Sequence, residues 1–297
     1  MKGEGVPVGV GKPRAENVLT LQIELGTGCR GDDVRLRLAF DDIRDRVAAL
    51  PGVEAAAIIS HLPLLGAANG TSLYPEGSVA PTPGQEPWVI TKQSQPGYFQ
   101  AMGIPLVEGR DFIEEDGNLG TPPVVIVNQA FAQRYWPGER AIGRRVKYGR
   151  PDSDTPWMEI VGVAADVRHF GPGSPVELGS YEPFHQLPYW RETLVVRAGE
   201  DPLALVPAIR AAVAAVDPDA PVHMIQTMEE AWYRTNWQPV LTSRLLWASS
   251  GVSLLLAYLG VFGVVSYLTG QRRKEFAIRL ATGGDRRVVI AHAVHST

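Results

Sequence analysis

Cysteine occurs once, at Cys29, so no disulfide can form within the chain. That excludes a disulfide-stapled scaffold and says little about compartment, because many domains outside the cytoplasm do without disulfides. A phosphate loop of the form G-x-x-x-x-G-K-[ST] is absent, so the chain has no recognisable ATP site of its own. G-x-S-x-G is absent too. The six histidines fall at no metal-binding spacing. No signal peptide or early hydrophobic segment precedes the bulk of the chain, since Met1 to Val10 is Gly-rich and too short. A long N-terminal domain is hard to export without such a segment. The expectation is therefore that a first membrane helix is missing, and the ending AHAVHST also reads as cut.

Basic residues are scarce in the body of the chain. Residues 1–244 hold 22 Lys and Arg against 30 Asp and Glu, whereas residues 245–297 hold six against two. An acidic body with a basic tail argues against nucleic-acid binding by the body. A length of 297 residues, 45% of them hydrophobic, suffices for one large core or two modest ones and excludes a disordered chain.

Residues 245–271 read LLWASSGVSLLLAYLGVFGVVSYLTGQ, with no charge between Arg244 and Arg272. At the helical rise, about 25 such residues span roughly 37 Å, more than a bilayer core needs. A buried core helix would also be apolar, but core helices seldom run this long without one charge. Trp247 and Tyr267 lie near the two ends, as interface aromatics do. Arg272, Arg273, Lys274, Arg279, Arg286 and Arg287 crowd the C-terminal flank, while Arg234 and Arg244 stand alone before it. Cationic flanks stay cytoplasmic, which puts residues 1–244 outside. Ser249, Ser253, Ala257, Gly260 and Gly263 fall within one helical sector about 120° wide and predict a packing face for another membrane helix.

In the body, two stretches read as strand–helix–strand. The first is Val18–Leu25, a helix across Val34–Leu50, the turn Pro51-Gly52, then Val53–Ser60. The second is Leu194–Arg197, a helix across Pro202–Val216, the turn Asp217-Pro218-Asp219, then Val222–Gln226. Two βαβ units on one sheet suggest a ferredoxin-like α+β lobe. Between them, residues 96–192 read as an insertion with strands at Val124–Asn128 and Glu159–Asp166 and a short helix at Gln129–Tyr135. Met228–Trp247 reads as a helix running into the apolar segment, with a possible kink at Pro239.

Few residues suggest chemistry. Gly26-Thr27-Gly28-Cys29-Arg30-Gly31 spells G-x-G-x-x-G between an expected strand and helix, with Glu54 near the spacing of a ribose-binding acid. Asp32 and Asp33 at the helix start would oppose a pyrophosphate, which favours a connecting loop. Asp166 and His169 could supply two metal ligands but read better as a polar pair; His292 and His295 share a helix face; Glu114-Glu115-Asp116 reads as a solvated loop. Nothing assembles a nucleophile, a base and an oxyanion site, so no catalytic, cofactor or metal residues are expected.

The run Pro96-Gly97-Tyr98-Phe99-x-x-Met102-Gly103-Ile104-Pro105-Leu106, with Gly109-Arg110-x-Phe112, resembles the periplasmic core domain of MacB-like, FtsX-type ABC transporter permeases. Val125-Ile126-Val127-Asn128, Phe131-Ala132, Tyr135-Trp136-Pro137-Gly138, Gly143-Arg144-Arg145-Val146 and Ile160-Val161-Gly162-Val163 continue the match. The likeness is greatest to the large duplicated bacterial permeases that often lack an adjacent ATPase gene, and it covers about residues 15–290. Arg272–Gly284 is similar to the family's cytoplasmic coupling segment, usually E-I-G-I-R-x-A-L-G-A. Glu275, Ile278, Arg279, Ala281 and Gly283 match it; Phe276, Ala277 and Thr282 depart from it.

The resemblance implies an α+β, two-lobed periplasmic core domain: a discontinuous ferredoxin-like βαβ lobe with an inserted mixed α/β lobe, followed by a transmembrane α-helix. The expected divisions are an N-terminal segment at 1–17 and a core domain at 18–235. Its first lobe takes 18–95 and 193–227, its inserted lobe 96–192. A transmembrane helix with its outer extension follows at 236–271, and a coupling segment with the start of a further helix at 272–297. The resemblance further implies a fragment of a permease subunit in the bacterial inner membrane. It would hold no cofactor and work with a separate ABC-type ATPase, further permease helices and lipid. The ATPase would dock on Glu275, Phe276, Ile278, Arg279 and Leu280, and its closure on ATP would move the Leu245–Thr269 helix and the outer lobes. Two other readings are a tail-anchored outer binding or scaffold module without transport activity, and a membrane-attached nucleotide-dependent enzyme using the glycine loop.

Overall fold

The computed structural model describes residues 16–65, 68–78, 87–118, 120–150, 152–171, 174–186 and 188–281; in 235–241, 243–244 and 268–281 it describes backbone alone. Two compact units result, Met1–Asn236 and Trp237–Thr297. In chain order the strands are β1 (Val18–Glu24), β2 (Val53–Ile59), β3 (Asn69–Pro75), β4 (Trp88–Ser94), β5 (Leu106–Gly109), β6 (Val124–Asn128), β7 (Arg145–Tyr148), β8 (Met158–Ala164), β9 (Leu178–Pro183), β10 (Arg191–Ala198) and β11 (Val222–Thr227). The helices are α1 (Asp33–Ala48), α2 (Tyr98–Met102), α3 (Gln129–Tyr135), α4 (Val206–Val216) and α5 (Met228–Ala281).

The first half of the large unit follows from alternation. Leu19, Leu21 and Ile23 on β1, Leu194 and Val196 on β10, and Ala56 and Ile58 on β2 share one face and one buried cluster. Leu36, Phe40, Ile43 and Val47 on α1 recur every three or four residues and cover that face, beside Ile209 and Val213 of α4. Strand β10 lies antiparallel between β1 and β2, and β11 pairs antiparallel with the other side of β1. The order β11-β1-β10-β2 with both helices on one face is the interleaved double βαβ of a ferredoxin-like fold. Asp32 starts α1 by accepting from Arg35 N at 3.1 Å, and Asp201 accepts from Leu203 N at 3.0 Å in the 3-10 turn Pro202–Leu205 that leads into α4.

The remaining strands close on themselves. β4 pairs with β3, β3 with β7, β7 with β8, β8 with β6, β6 with β9, and β9 returns to β4. A closed ring of six strands has no free edge for a foreign strand to join. Its core is one cluster that includes Leu73, Val89, Val125, Val127, Val146 and Ile160, with Phe131 of α3 and the following Trp136. β5 hangs on β8 outside the ring. The ring meets the ferredoxin-like sheet through one pairing between β2 and β4, Ile59 with Ser94. Residues 69–75 and 88–94 thus enter the ring as β3 and β4.

The smaller unit is helical as far as Ala281. It contains one stretch, Leu245–Tyr267, long and apolar enough to cross a membrane. Its side chains are all exposed within the structure, so it is no core helix of this chain.

Phe40 is fully buried and meets Phe184 edge to face at 5.6 Å. Phe40→Ala is expected to lower unfolding stability by about 3–5 kcal/mol, read from denaturant midpoints of the detergent-solubilised chain.

Candidate functional site

The conspicuous run from Pro96 to Phe112 builds a wedge between the sheet and the ring. Gly97 N donates to Asp111 Oδ2 at 3.1 Å and Phe112 N to Asp111 Oδ1 at 2.7 Å, so one carboxylate ties both ends of the run. Burial pushes the Asp111 carboxyl up, and these two amide bonds oppose the rise. Within the wedge α2 is a single turn whose Tyr98, Phe99, Ala101 and Met102 are all buried. Gly103 ends it in the left-handed region at φ 64°, with Ile104 N bonding back to Phe99 O at 2.8 Å. Tyr98 and Phe99 both stack with Tyr181 of β9, at 5.9 and 4.9 Å. Arg197 of β10 donates from Nε to Ala101 O at 2.9 Å, fixing the end of α2 to the sheet. Beyond it, Gly109 sits at φ 77°, where an added Cβ would lie 2.1 Å from Val161 O. Arg110 forks onto Asp116, which also accepts from Ile113 N at 3.0 Å.

The long helix is rooted in the same wedge. Thr227 N donates to Glu230 Oε2 at 2.9 Å and Glu230 N to Thr227 Oγ1 at 3.1 Å, a reciprocal capping box. Met228 is fully buried in the cluster that holds Val18, Ala57 and Val195 of the sheet, Tyr98 and Phe99 of α2, and Ile126 of the ring. Trp232, one turn later, packs against that cluster.

Polar contacts brace α1 against segments that lead into and out of the ring. Arg44, only 9% exposed, donates to Glu114 at 2.9 Å. Asp41 accepts from Gln95 Nε2 at 2.7 Å and lies 2.9 Å from His185 Nε2. Gln95 Oε1 in turn accepts from Ile58 N at 3.1 Å. On β4, Lys92 is buried with its ammonium 4.8 Å from the Tyr181 ring centroid. Burial lowers its pKa to about 8, and the Glu177 charge pulls the other way.

The glycine loop holds no room for a phosphate at its first amide, because Gly26 N already donates to Asp217 Oδ2 at 2.8 Å. Asp166 Oδ1 accepts from Asn128 Nδ2 at 2.8 Å and Ala130 N at 2.9 Å, at the start of α3. Glu114-Glu115-Asp116 is not merely solvated, since Glu114 reaches Arg44 and Asp116 is 9% exposed beside Arg110. Ser249, Ser253, Ala257, Gly260 and Gly263 are exposed along the apolar stretch, and the Ser253 hydroxyl donates to Ser249 O at 2.9 Å. Glu275, Phe276, Ile278, Arg279 and Leu280 lie on α5, but their side chains fall outside the described ones, and 282–297, with His292 and His295, lie outside the described residues altogether. The capping box, the Asp111 tie and the Met228 anchor escaped the sequence reading; Thr227-x-x-Glu230 ahead of a helix was the one local signal for them.

Residues 10–216 match the family model of the MacB-like periplasmic core domain, and the chain belongs to that family. Three solved structures are similar to it. The periplasmic region of MacB from Actinobacillus actinomycetemcomitans is 13% identical with a TM-score of 0.46, over 70% of this chain and 89% of that one. The extracellular domain of the noncanonic ABC-type transporter YknZ from Gram-positive bacteria is 13% identical with a TM-score of 0.42, over 69% and 99%. A domain ascribed to a permease of Porphyromonas gingivalis is 16% identical with a TM-score of 0.45, over 73% and 92%. No curated protein matches in sequence. The family and the apolar stretch of α5 together associate the chain with a membrane.

Gly109→Ala is expected to cost well over the roughly 1–2 kcal/mol of a left-handed L-residue, because the Val161 carbonyl must move; Gly143→Ala, at φ 82° with open space around an added Cβ, should cost only about that amount. Thermal unfolding of the two variants side by side checks the difference. For Lys92 the folded state binds fewer protons than the unfolded chain between about pH 8 and the ordinary lysine range. Its contribution to stability therefore rises with pH across that window. Lys92→Met should raise stability at pH 7 by on the order of 2 kcal/mol, and the gain should shrink above pH 8. Denaturant midpoints at pH 7 and pH 10 measure it.

Proposed function

We propose that this chain is part of an ABC transporter permease subunit that turns ATP hydrolysis by a separate ATPase into movement of its outer domain. The observation that carries the reading is the root of α5. The helix that includes the apolar Leu245–Tyr267 stretch begins with Met228 buried in a cluster shared by sheet, wedge and ring, and with Trp232 packed against it. The backbone is helical without a break from that root through the apolar stretch to Ala281.

In this reading residues 18–235 are periplasmic and the 245–271 helix crosses the inner membrane, oriented by the arginines after Gln271. The coupling segment from Glu275 to Leu280 meets the ATPase on the cytoplasmic side. Ser249, Ser253, Ala257, Gly260 and Gly263 face a neighbouring permease helix, where small side chains let backbones approach. ATP enters only through the partner, since coupling needs a contact whose energy differs between nucleotide states.

Co-purification of the detergent-solubilised permease with candidate ATPases tests the assignment. Glu275→Arg together with Arg279→Glu is expected to abolish retention of the ATPase while leaving the outer domain folded. Unchanged retention would remove the coupling role of this segment.

A further inference from the structure

The face of the sheet turned away from α1 and α4 is covered only in part. Val18 and Val195 lie under the wedge in the shared cluster, but the next residues on that face are Thr20 and Gln22 on β1 and Thr193 on β10. The helix-covered face shows no such change along its length. The polar half forms the floor of a cleft of about 540 Å³, within the size range of small-molecule sites.

Its walls carry backbone strain and exposed apolar side chains. Of the described non-glycine residues with positive φ, Met224, at 50° in β11, lines this cleft. Met224 sits where the β1–β11 register shifts, and a bulge there re-aims its side chain. Met224 is 55% exposed and Tyr189, on the neighbouring wall, 53%.

The ionisable residues of the lining are His61, Arg191 and Glu192. Burial pushes the Glu192 carboxyl well up, toward its neutral form, against the hydrogen bond it accepts from Tyr189 N at 3.2 Å. Glu24 stands 3.9 Å from Arg191 and 3.3 Å from His223. Burial, with Lys92 and Arg191 nearby, holds His61 toward its neutral form. Apart from His61, Arg191 and Glu192, the polar side chains of the lining are amide and hydroxyl, notably Gln22, Asn69, Gln93, Ser60 and Thr193. Such groups both donate and accept. A fitting ligand is uncharged, offers several groups that also do both, and has an apolar face for Tyr189 and Met224. A sugar ring has that combination, with hydroxyls at its rim and C–H bonds on its faces.

We propose that this cleft binds a neutral saccharide, with Tyr189 as the stacking platform and the amide side chains of Gln22 and Gln93 taking the ring hydroxyls. The site stands apart from the coupling role of α5 and does not depend on it.

The full chain, in a detergent without a sugar headgroup, is titrated calorimetrically with chitotriose and with maltotriose. Saturable binding of at least one, with a Kd of about 1 mM or tighter, is expected. Tyr189→Ala, at an exposed position, should weaken it about tenfold without changing the unfolding temperature. Met224→Gly should weaken binding and yet not lower stability, because glycine relieves the positive φ. Absence of binding by both sugars at about 10 mM would overturn the proposal. So would affinity unchanged in both variants, or an uncharged apolar tripeptide that binds as tightly as the sugars.

Discussion

The large unit depends on one apolar cluster that belongs to no single part of it. Val18, Ala57 and Val195 come from the ferredoxin-like sheet, Tyr98 and Phe99 from the wedge, Ile126 and Tyr181 from the ring, and Met228 from the root of the long helix. Apolar surface of four different origins is removed from water in one place, so each part loses stability if any other withdraws. The other two clusters are private, one under α1 and α4 and one in the ring. Cooperative behaviour of the unit therefore rests on the shared cluster.

Polar contacts set the geometry that this cluster leaves open. Non-directional burial does not choose an angle between sheet and ring. Asp41, Arg44 and Gln95 do: Asp41 and Arg44 reach from α1 to segments entering or leaving the ring, and Gln95, just after β4, reaches back to α1 and β2. Arg44 is largely withdrawn from water, so the loss of Glu114 would leave a buried cation short of one partner. Lys92 has the opposite standing, with an aromatic ring and a distant carboxylate in place of a close counter-ion.

Much of the ferredoxin-like half was legible in the sequence. Its strands alternate cleanly, and its helices carry caps or a first-turn proline, so local chemistry and tertiary structure agree. The ring was legible only at β6, α3 and β8. Its other strands are hard to read: Arg145–Tyr148 and Leu106–Gly109 have four residues each, and Asn69–Pro75 opens with Asn-Gly and ends in proline. Turn formers at both ends mask a strand whose pairing is supplied entirely by distant partners. The wedge showed itself as a family motif before it showed a purpose. Its glycines, its single-turn helix and Asp111 make sense only once the Val161 carbonyl, Arg197 and Tyr181 are in place around them, and all three lie far along the chain.

The single pairing of Ile59 with Ser94 between β2 and β4 makes the backbone connection between the halves much thinner than the connections within them. Pulling one strand out of the ring means tearing two ladders at once, and the sheet is held by longer ladders on both sides of β1. Across the seam between the halves the backbone offers one bridge, and what else resists a load there is side chain: Arg44, Asp41 and Gln95, and the apolar residues of the shared cluster. Resistance inside each half is thus written in backbone ladders, and resistance between the halves in side chains that substitution can retune one at a time.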